Sequence, residues 1–289
     1  MSLSILFVQI LTGLAYGMLY FMIAAGLTII LGVMNVVNLA HGTFFLIGAY
    51  VAYTLVSKHL GFWLALILSV GVTAILGLVI ERLLIHRVYG KELEQVLLTF
   101  GLTFMLSDAA KWIWGTDIQT IPVPRVLDFS ISVGSVDFPA YRLFIVAVGG
   151  ALAVILWLLE NRTRIGAIIR AGVDDRAMVT ALGINVGAVF TGVFAFGAAL
   201  AGLGGVLGGP LIGVYTGLDG DILVTSLIVV TVGGLGSWKG PFVGALLIGL
   251  MDTLGKVWFP SFSMLVIFLL MVVILLIRPR GLFGREVAP

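Results

Sequence analysis

The stretch MNVVNLAHGTF, residues 34–44, follows a long apolar run, and the first 57 residues of the chain contain no Asp, Glu, Lys or Arg. Asn35, Asn38 and His41 fall at steps of three, and Gly42 follows directly. A helix through this stretch sets the three polar side chains near one face. Buried amides and imidazoles are costly in lipid unless they find partners. Two readings follow. The three side chains are hydrogen-bonding glue between helices. Or they line a polar pathway where a helix breaks at Gly42, leaving backbone groups free to serve a solute inside the membrane. Spacing alone does not choose between them.

The rest of the chain sets the class. Of 289 residues, 61% are hydrophobic and only 10% charged; mean hydropathy is +1.20. Soluble chains carry about 25% charged residues. A polytopic membrane protein is therefore expected. At about 20 residues per span, the charge-free start alone has room for two crossings. The first basic residue is Lys58, so no basic region of a cleavable signal peptide is visible. With no cysteine there is no disulfide framework or thiolate metal site. The net charge of +2 comes from bases in short loops, which read as topology signals and not as a nucleic-acid surface.

Apolar segments run over about 5–31, 36–57, 62–80, 95–110, 141–159, 186–208, 222–235, 241–257 and 262–277. Each is expected to be a helix, because a backbone in lipid must satisfy its own hydrogen bonds. The segment at 222–235 is short and ends in glycine, as a broken or re-entrant helix would. The expected fold is all-α: a polytopic helical membrane protein with about 8–9 transmembrane or re-entrant segments, forming one membrane domain over 1–289.

Bases orient the segments. Arg82, Arg87, Lys91, Arg162, Arg164, Arg170, Arg176, Lys239, Arg278, Arg280 and Arg285 fall on one side, against Lys58, Lys111, Arg125, Arg142 and Lys256 on the other. The positive-inside rule makes the first side cytoplasmic, with the N-terminus outside and the C-terminus inside. The external loop 112–140 contains Pro122, Pro124, the alternating FSISV and two tryptophans, Trp112 and Trp114, expected at the interface. It reads as a small hairpin or an ordered cap. The internal loop 160–185 reads as a short amphipathic helix followed by the turn ALGIN. It combines Arg162, Arg164, Arg170, Asp174, Asp175 and Arg176 with glycine hinges at Gly166 and Gly183. A simple connection needs only a few residues, so a loop of this length suggests docking to a cytoplasmic partner.

Glycine pairs at four-residue spacing (Gly13 and Gly17, Gly204 and Gly208, Gly205 and Gly209, Gly240 and Gly244) predict close helix packing. Asp108 precedes Lys111 and Asp252 precedes Lys256, so each acid is expected to pair along its own helix. Both acids lie near segment ends, and no carboxylate reads as deep in the bundle. That argues against a proton- or sodium-coupled carrier. The run VGGLGSWKGPF, residues 232–242, lacks the Ser or Thr that must follow Lys in a phosphate-binding loop. It reads as a tight turn, and KGPF is a faint echo of HGTF at 41–44. His41, His59 and His86 are far apart and no hydrolase motif occurs, so a catalytic or metal centre has nothing to stand on.

Three stretches resemble one family. MNVVNLAHGTFFLIGAY resembles the signature region of the branched-chain amino acid ABC transporter permeases, the LivH/LivM class. RTRIGAIIRAGVDDRAMVTALGINV resembles their cytoplasmic coupling loop, and IVVTVGGLGSWKGPFVGALLIG their late glycine-rich segment. The length and the missing N-terminal extension look more like the H-type subunit than the M-type. The resemblance implies the membrane half of an importer in a bacterial inner membrane. Its partners would be a second similar permease, giving a heterodimer, two cytoplasmic ATP-binding subunits and a periplasmic substrate-binding protein. It implies that residues 164–183, with Arg164, Gly166, Arg170, Asp174, Asp175, Arg176 and Gly183, dock on the ATPase. It puts Asn35, Asn38, His41 and Gly42 near the translocation path. No enzyme activity, metal or cofactor is expected of this chain, because ATP would be hydrolysed by the partner. Branched-chain amino acids are the default cargo; urea, amides or aromatic acids are the alternatives within the family, and a self-sufficient carrier or channel is the alternative outside it.

Overall fold

The structure, a computed structural model, describes residues 3–133, 136–174, 176–234 and 238–284. Apolar runs become helices where hydropathy places them. They are α1 (Leu3–Met34), α2 (His41–Ser57), α3 (Phe62–Leu83), α4 (Glu92–Trp114), α5 (Ala140–Arg162), α6 (Arg164–Asp174), α7 (Arg176–Ala181), α8 (Val186–Ile212), α9 (Leu218–Gly233), α10 (Lys239–Trp258) and α11 (Ser263–Ile277). Seven of these are long and apolar enough to cross a membrane. The seventh is α11 taken with the 3-10 turn Pro260–Phe262 before it, and α2 and α9, with 17 and 16 residues, fall short of that length. With them the described residues hold nine membrane segments, in line with the expected 8–9.

Between α4 and α5 lies an antiparallel hairpin, β1 (Ser130–Val133) and β2 (Val136–Pro139), with Ile131 opposite Phe138. The loop 112–140 thus contains a hairpin in its second half. It marks one face of the bundle; α6 and α7 mark the other. The two tryptophans of the loop differ. Trp112 is 90% exposed. Trp114 turns inward instead, stacking on Tyr50 at 4.9 Å and donating from Nε1 to Thr54 Oγ1 at 2.6 Å.

The bundle is built around α1, which packs along α10, α8 and α5. Small residues make this possible, since lipid gives no hydrophobic drive between helices and contact area must come from close approach. A Cβ on Gly249 would lie 2.3 Å from the Gly17 nitrogen, and one on Gly48 2.6 Å from the Gly202 Cα. Backbone therefore meets backbone at both crossings. A Cβ on Gly205 would lie 2.1 Å from the Phe45 carbonyl oxygen. The glycine pairs read from the sequence do serve helix packing. By contrast, α11 buries no residue.

The segment after α11 folds back. Leu282 and Phe283 donate from their backbone nitrogens to the Val232 and Gly233 carbonyls, each at 2.9 Å. These are two of the last four carbonyls of α9, which have no partner within their own helix. On the α6–α7 face, a Cβ on Gly166 would lie 2.3 Å from the Leu159 carbonyl oxygen. Gly166 is therefore a tight corner that folds α6 against the end of α5, not an open hinge. Gly183 has φ +81 and shapes the turn between α7 and α8.

Candidate functional site where two helix N-termini meet

The residues 34–44 do not form one helix. Helix α1 ends at Met34, and Asn35 takes φ +53, a left-handed conformation that Asn tolerates better than most residues. Residues 35–38 are irregular, 39–40 form a turn, and α2 starts only at His41. Asn35, Asn38 and His41 therefore share no helical face, contrary to the spacing argument. Asn35 is exposed, whereas Asn38 and His41 are 1% and 0% exposed. The break precedes Gly42, which is the second residue of α2.

Each polar residue has a local task. The Asn38 side chain accepts from the Ala40 backbone nitrogen at 3.1 Å, closing the turn that launches α2. His41 donates from Nε2 to the Ile23 carbonyl at 2.9 Å. Ile23 lies about 16 Å back along α1 from its end, at 1.5 Å per residue. The chain thus folds back along α1, and α2 begins well back from the end of α1. Asn38 Nδ2, His41 Nδ1 and Thr28 Oγ1 are buried without hydrogen-bond partners.

A second helix begins in the interior of the bundle, approached from the hairpin face. Val214 pairs with Gln119 in the loop on the hairpin face. Five residues later, Asp219 opens α9 directly against α2. A Cβ on Gly42 would lie 2.0 Å from the Asp219 carbonyl oxygen, so only glycine permits this crossing. The N-termini of α2 and α9 meet there, and each concentrates positive partial charge from its unpaired N–H groups. The Asp219 carboxylate sits between them, 6% exposed. It accepts from Thr43 Oγ1 at 3.4 Å and, more closely, from Ser107 Oγ on α4. No cation is bonded to it among the described residues. The Tyr50 hydroxyl lies near Asp219 and beside the Thr216 hydroxyl.

Sequence reading missed Asp219, Ser107 and Tyr50. The available signal was GLDGD, residues 217–221, where acids directly precede an apolar run. It also missed Glu81. That residue is 1% exposed and accepts from Thr191 Oγ1 at 2.5 Å and from the Tyr89 hydroxyl. The absence of deep carboxylates, used against a coupled carrier, is therefore corrected. The pairs Asp108–Lys111 and Asp252–Lys256 do form, at 2.8 and 2.7 Å. Lys256 is 58% exposed beside the buried Asp252, so it reaches outward as a snorkelling lysine does.

The residues expected to dock on a partner lie elsewhere in the chain. Arg164, Gly166, Arg170 and Asp174 lie on α6, Arg176 on α7 and Gly183 in the turn after it. Asp175 lies outside the described residues. KGPF opens α10 as HGTF opens α2, each with glycine as the second helical residue against a neighbouring backbone. Residues 235–237 of the turn before it lie outside the described residues.

Comparison with known proteins agrees with this architecture. The family described as branched-chain amino acid transport system / permease component matches residues 9–275. The permease protein BraD of a high-affinity branched-chain amino acid transport system in Pseudomonas aeruginosa is 30% identical, covering 96% of this chain and 95% of its own. The permease protein LivH of Escherichia coli K12 is 27% identical over 96% of this chain and 95% of its own. LivM of the same organism is 26% identical over 92% of this chain but 68% of its own. A multi-pass helical chain, matched from its first helix to its last, belongs to the family of branched-chain amino acid transport system permease components.

Proposed function

We propose that this chain is the membrane-spanning permease subunit of an ATP-driven importer for branched-chain or related amino acids. Its family membership over residues 9–275 carries the reading. Relatives named LivH and LivM support a pair of similar permeases, with this chain as the H-type partner of a heterodimer. In this proposal two cytoplasmic ATP-binding subunits hydrolyse ATP, and a periplasmic binding protein delivers cargo to the hairpin face. The bases on the α6–α7 face favour a cytoplasmic position for that face. This puts the N-terminus outside and the C-terminus inside a bacterial inner membrane.

The mechanism is alternating access. ATP binding draws the ATPases together, the α6–α7 elbow moves with them, and the two permease bundles rock. Gly166 supports this reading, because its tight corner transmits motion of α6 to the end of α5. The meeting of α2 and α9 is the proposed pathway element, since broken helices expose backbone groups to a solute at mid-membrane. The unpartnered Asn38 Nδ2 and His41 Nδ1 support a polar path there. Without Lys or Arg bonded to Asp219, cargo selectivity rests with the binding protein. To test coupling, Asp174, Asp175 and Arg176 are replaced by alanine in the assembled transporter. The expected outcome is loss of ATPase association and of leucine uptake, with the permease pair still formed. Unchanged association and uptake would refute the coupling assignment.

A further inference from the structure

The outward face of α9 differs from that of α3. On α3 the exposed side chains Leu64, Ile67, Leu68, Val72, Ile75 and Leu78 are all apolar, as lipid requires. On α9 the exposed residues are Gly217 at the N-cap, then Gly220, Asp221, Val224 and Thr231. Their helical spacing aligns them in one stripe. Thr225 and Thr231 donate their hydroxyls to the carbonyls of Asp221 and Leu227, four residues back, at 2.8 and 2.6 Å. A hydroxyl bonded in this way tolerates lipid; a carboxylate has no such option. Asp221 accepts from the Tyr215 hydroxyl at 3.0 Å, and no cation bonds it among the described residues. The acids elsewhere on membrane helices are either buried, as Asp219, Glu81 and Asp252 are, or joined to a lysine, as Asp108 is.

Asp221 also lies deep. Two residues before it, Asp219 meets Gly42, and beside Gly42, His41 bonds the Ile23 carbonyl. Ile23 is about 16 Å from one end of α1 and about 30 Å from the other. From Asp221 to the C-terminal end of α9 is about 18 Å. Both measures set Asp221 well away from either end of a bundle that must span a hydrocarbon core about 30 Å thick. An ionisable side chain at such depth is costly against lipid and is found facing the bundle interior or a water-filled cavity. Asp221 faces outward, so water must reach the outward face.

We propose that the outward face of α9 lines a water-filled passage, in which Asp221 attracts the α-ammonium group of an amino acid. The aqueous stripe stands on the geometry alone; the ammonium rests on the importer reading. A fixed negative charge suits a solute with a primary ammonium and gives no advantage to uncharged urea or amides. It also leaves the side chain of the solute unread. The chain has no cysteine, so single cysteines report without background. In permeabilised membranes holding the assembled transporter, V224C, T231C and I75C are treated with two membrane-impermeant methanethiosulfonates, one trimethylammonium and one sulfonate. V224C and T231C are expected to react, and I75C on α3 is not. Val224 is one turn from Asp221, and unit charges about 6 Å apart in water change a rate about threefold. The cationic reagent should therefore lead at V224C by at least about threefold. It should not lead at T231C, about 15 Å along the helix and beyond a Debye length of about 8 Å. D221N should abolish the lead at V224C and D221E should keep it; if D221N fails to fold, the contrast between V224C and T231C decides. Leucine uptake should fall at least about tenfold in D221N and recover in D221E. Reaction of V224C and T231C with neither reagent, or no more than I75C, overturns the passage. Equal rates of the two reagents at V224C, or full leucine uptake by D221N, overturn the role of Asp221. Labelling with the cationic lead but no leucine uptake by wild type would refute the importer reading and leave the charged aqueous stripe standing.

Discussion

Helices α1 and α11 are both strongly apolar, yet their surroundings are opposite. Over its most apolar window α1 is 72% buried, while α11 is not buried at all, although α11 has the higher hydropathy. In a soluble protein the more hydrophobic helix would be the core. In lipid, hydropathy selects for insertion and says nothing about which helix is central. Composition does. The sequence of α11, SMLVIFLLMVVILLI, contains no glycine and no alanine. Helix α1 has Gly13, Gly17, Gly26 and several alanines, and α8 repeats the pattern with Gly197, Gly202, Gly204 and Gly205. Small side chains let two backbones touch, and that contact area is what holds helices together when water is absent.

Substitutions can break this contrast. The largest effect is expected at Gly205, where a Val side chain must displace the Phe45 carbonyl 2.1 Å away. Gly205→Val should reach or exceed the top of the about 1–3 kcal/mol range for overpacking. The readout is loss of the monodisperse peak of purified protein in detergent. A normal peak with unchanged thermal stability would mean that α2 and α8 do not approach as described.

An intermediate effect is expected at Asp219. Asp219→Ala removes the acceptor for Thr43 and Ser107, and leaving buried donors unbonded costs about 1–3 kcal/mol. Asp219→Asn keeps an acceptor and removes only the charge, so it should destabilise less. Thermal unfolding of the three proteins ranks them. Equal stability of Asp219→Ala and wild type would exclude a structural role for this meeting point.

The smallest effect is expected on α11. Leu265 is 58% exposed, and Leu265→Ala should change stability by less than about 0.5 kcal/mol. A shift of several degrees in the unfolding midpoint of the assembled transporter, absent in the isolated chain, would sharpen the contrast. It would identify α11 as a face covered by a partner and not by lipid.

Hydropathy in the sequence located the described membrane segments to within a few residues, apart from the start of α2. The hairpin in loop 112–140 and the helical character of 160–185 were also legible, because alternation and helix-forming composition are local signals. The break after Met34 was not. A step of three implies a shared face only if the residues are helical, and Asn35 takes a left-handed conformation that ends the helix first. Asp219 was invisible for another reason. Its partner Thr43 lies 176 residues earlier in the chain, and nothing local in GLDGD reveals a second helix N-terminus opposite. Glu81 was hidden likewise, next to Arg82 and Arg87, which were read only as signals of orientation.

The fold-back of Leu282 and Phe283 onto the end of α9 bears on how the protein is handled at the bench. A purification tag or fluorescent reporter fused straight after Ile277 would strip two donors from the Val232 and Gly233 carbonyls, so a fusion point beyond Gly284 is the safer choice. Cleavage between Arg278 and Gly281 would release α9 from its clasp without cutting any helix. A preparation that has lost only its last few residues and one that has lost this clasp would then differ in behaviour far more than in mass.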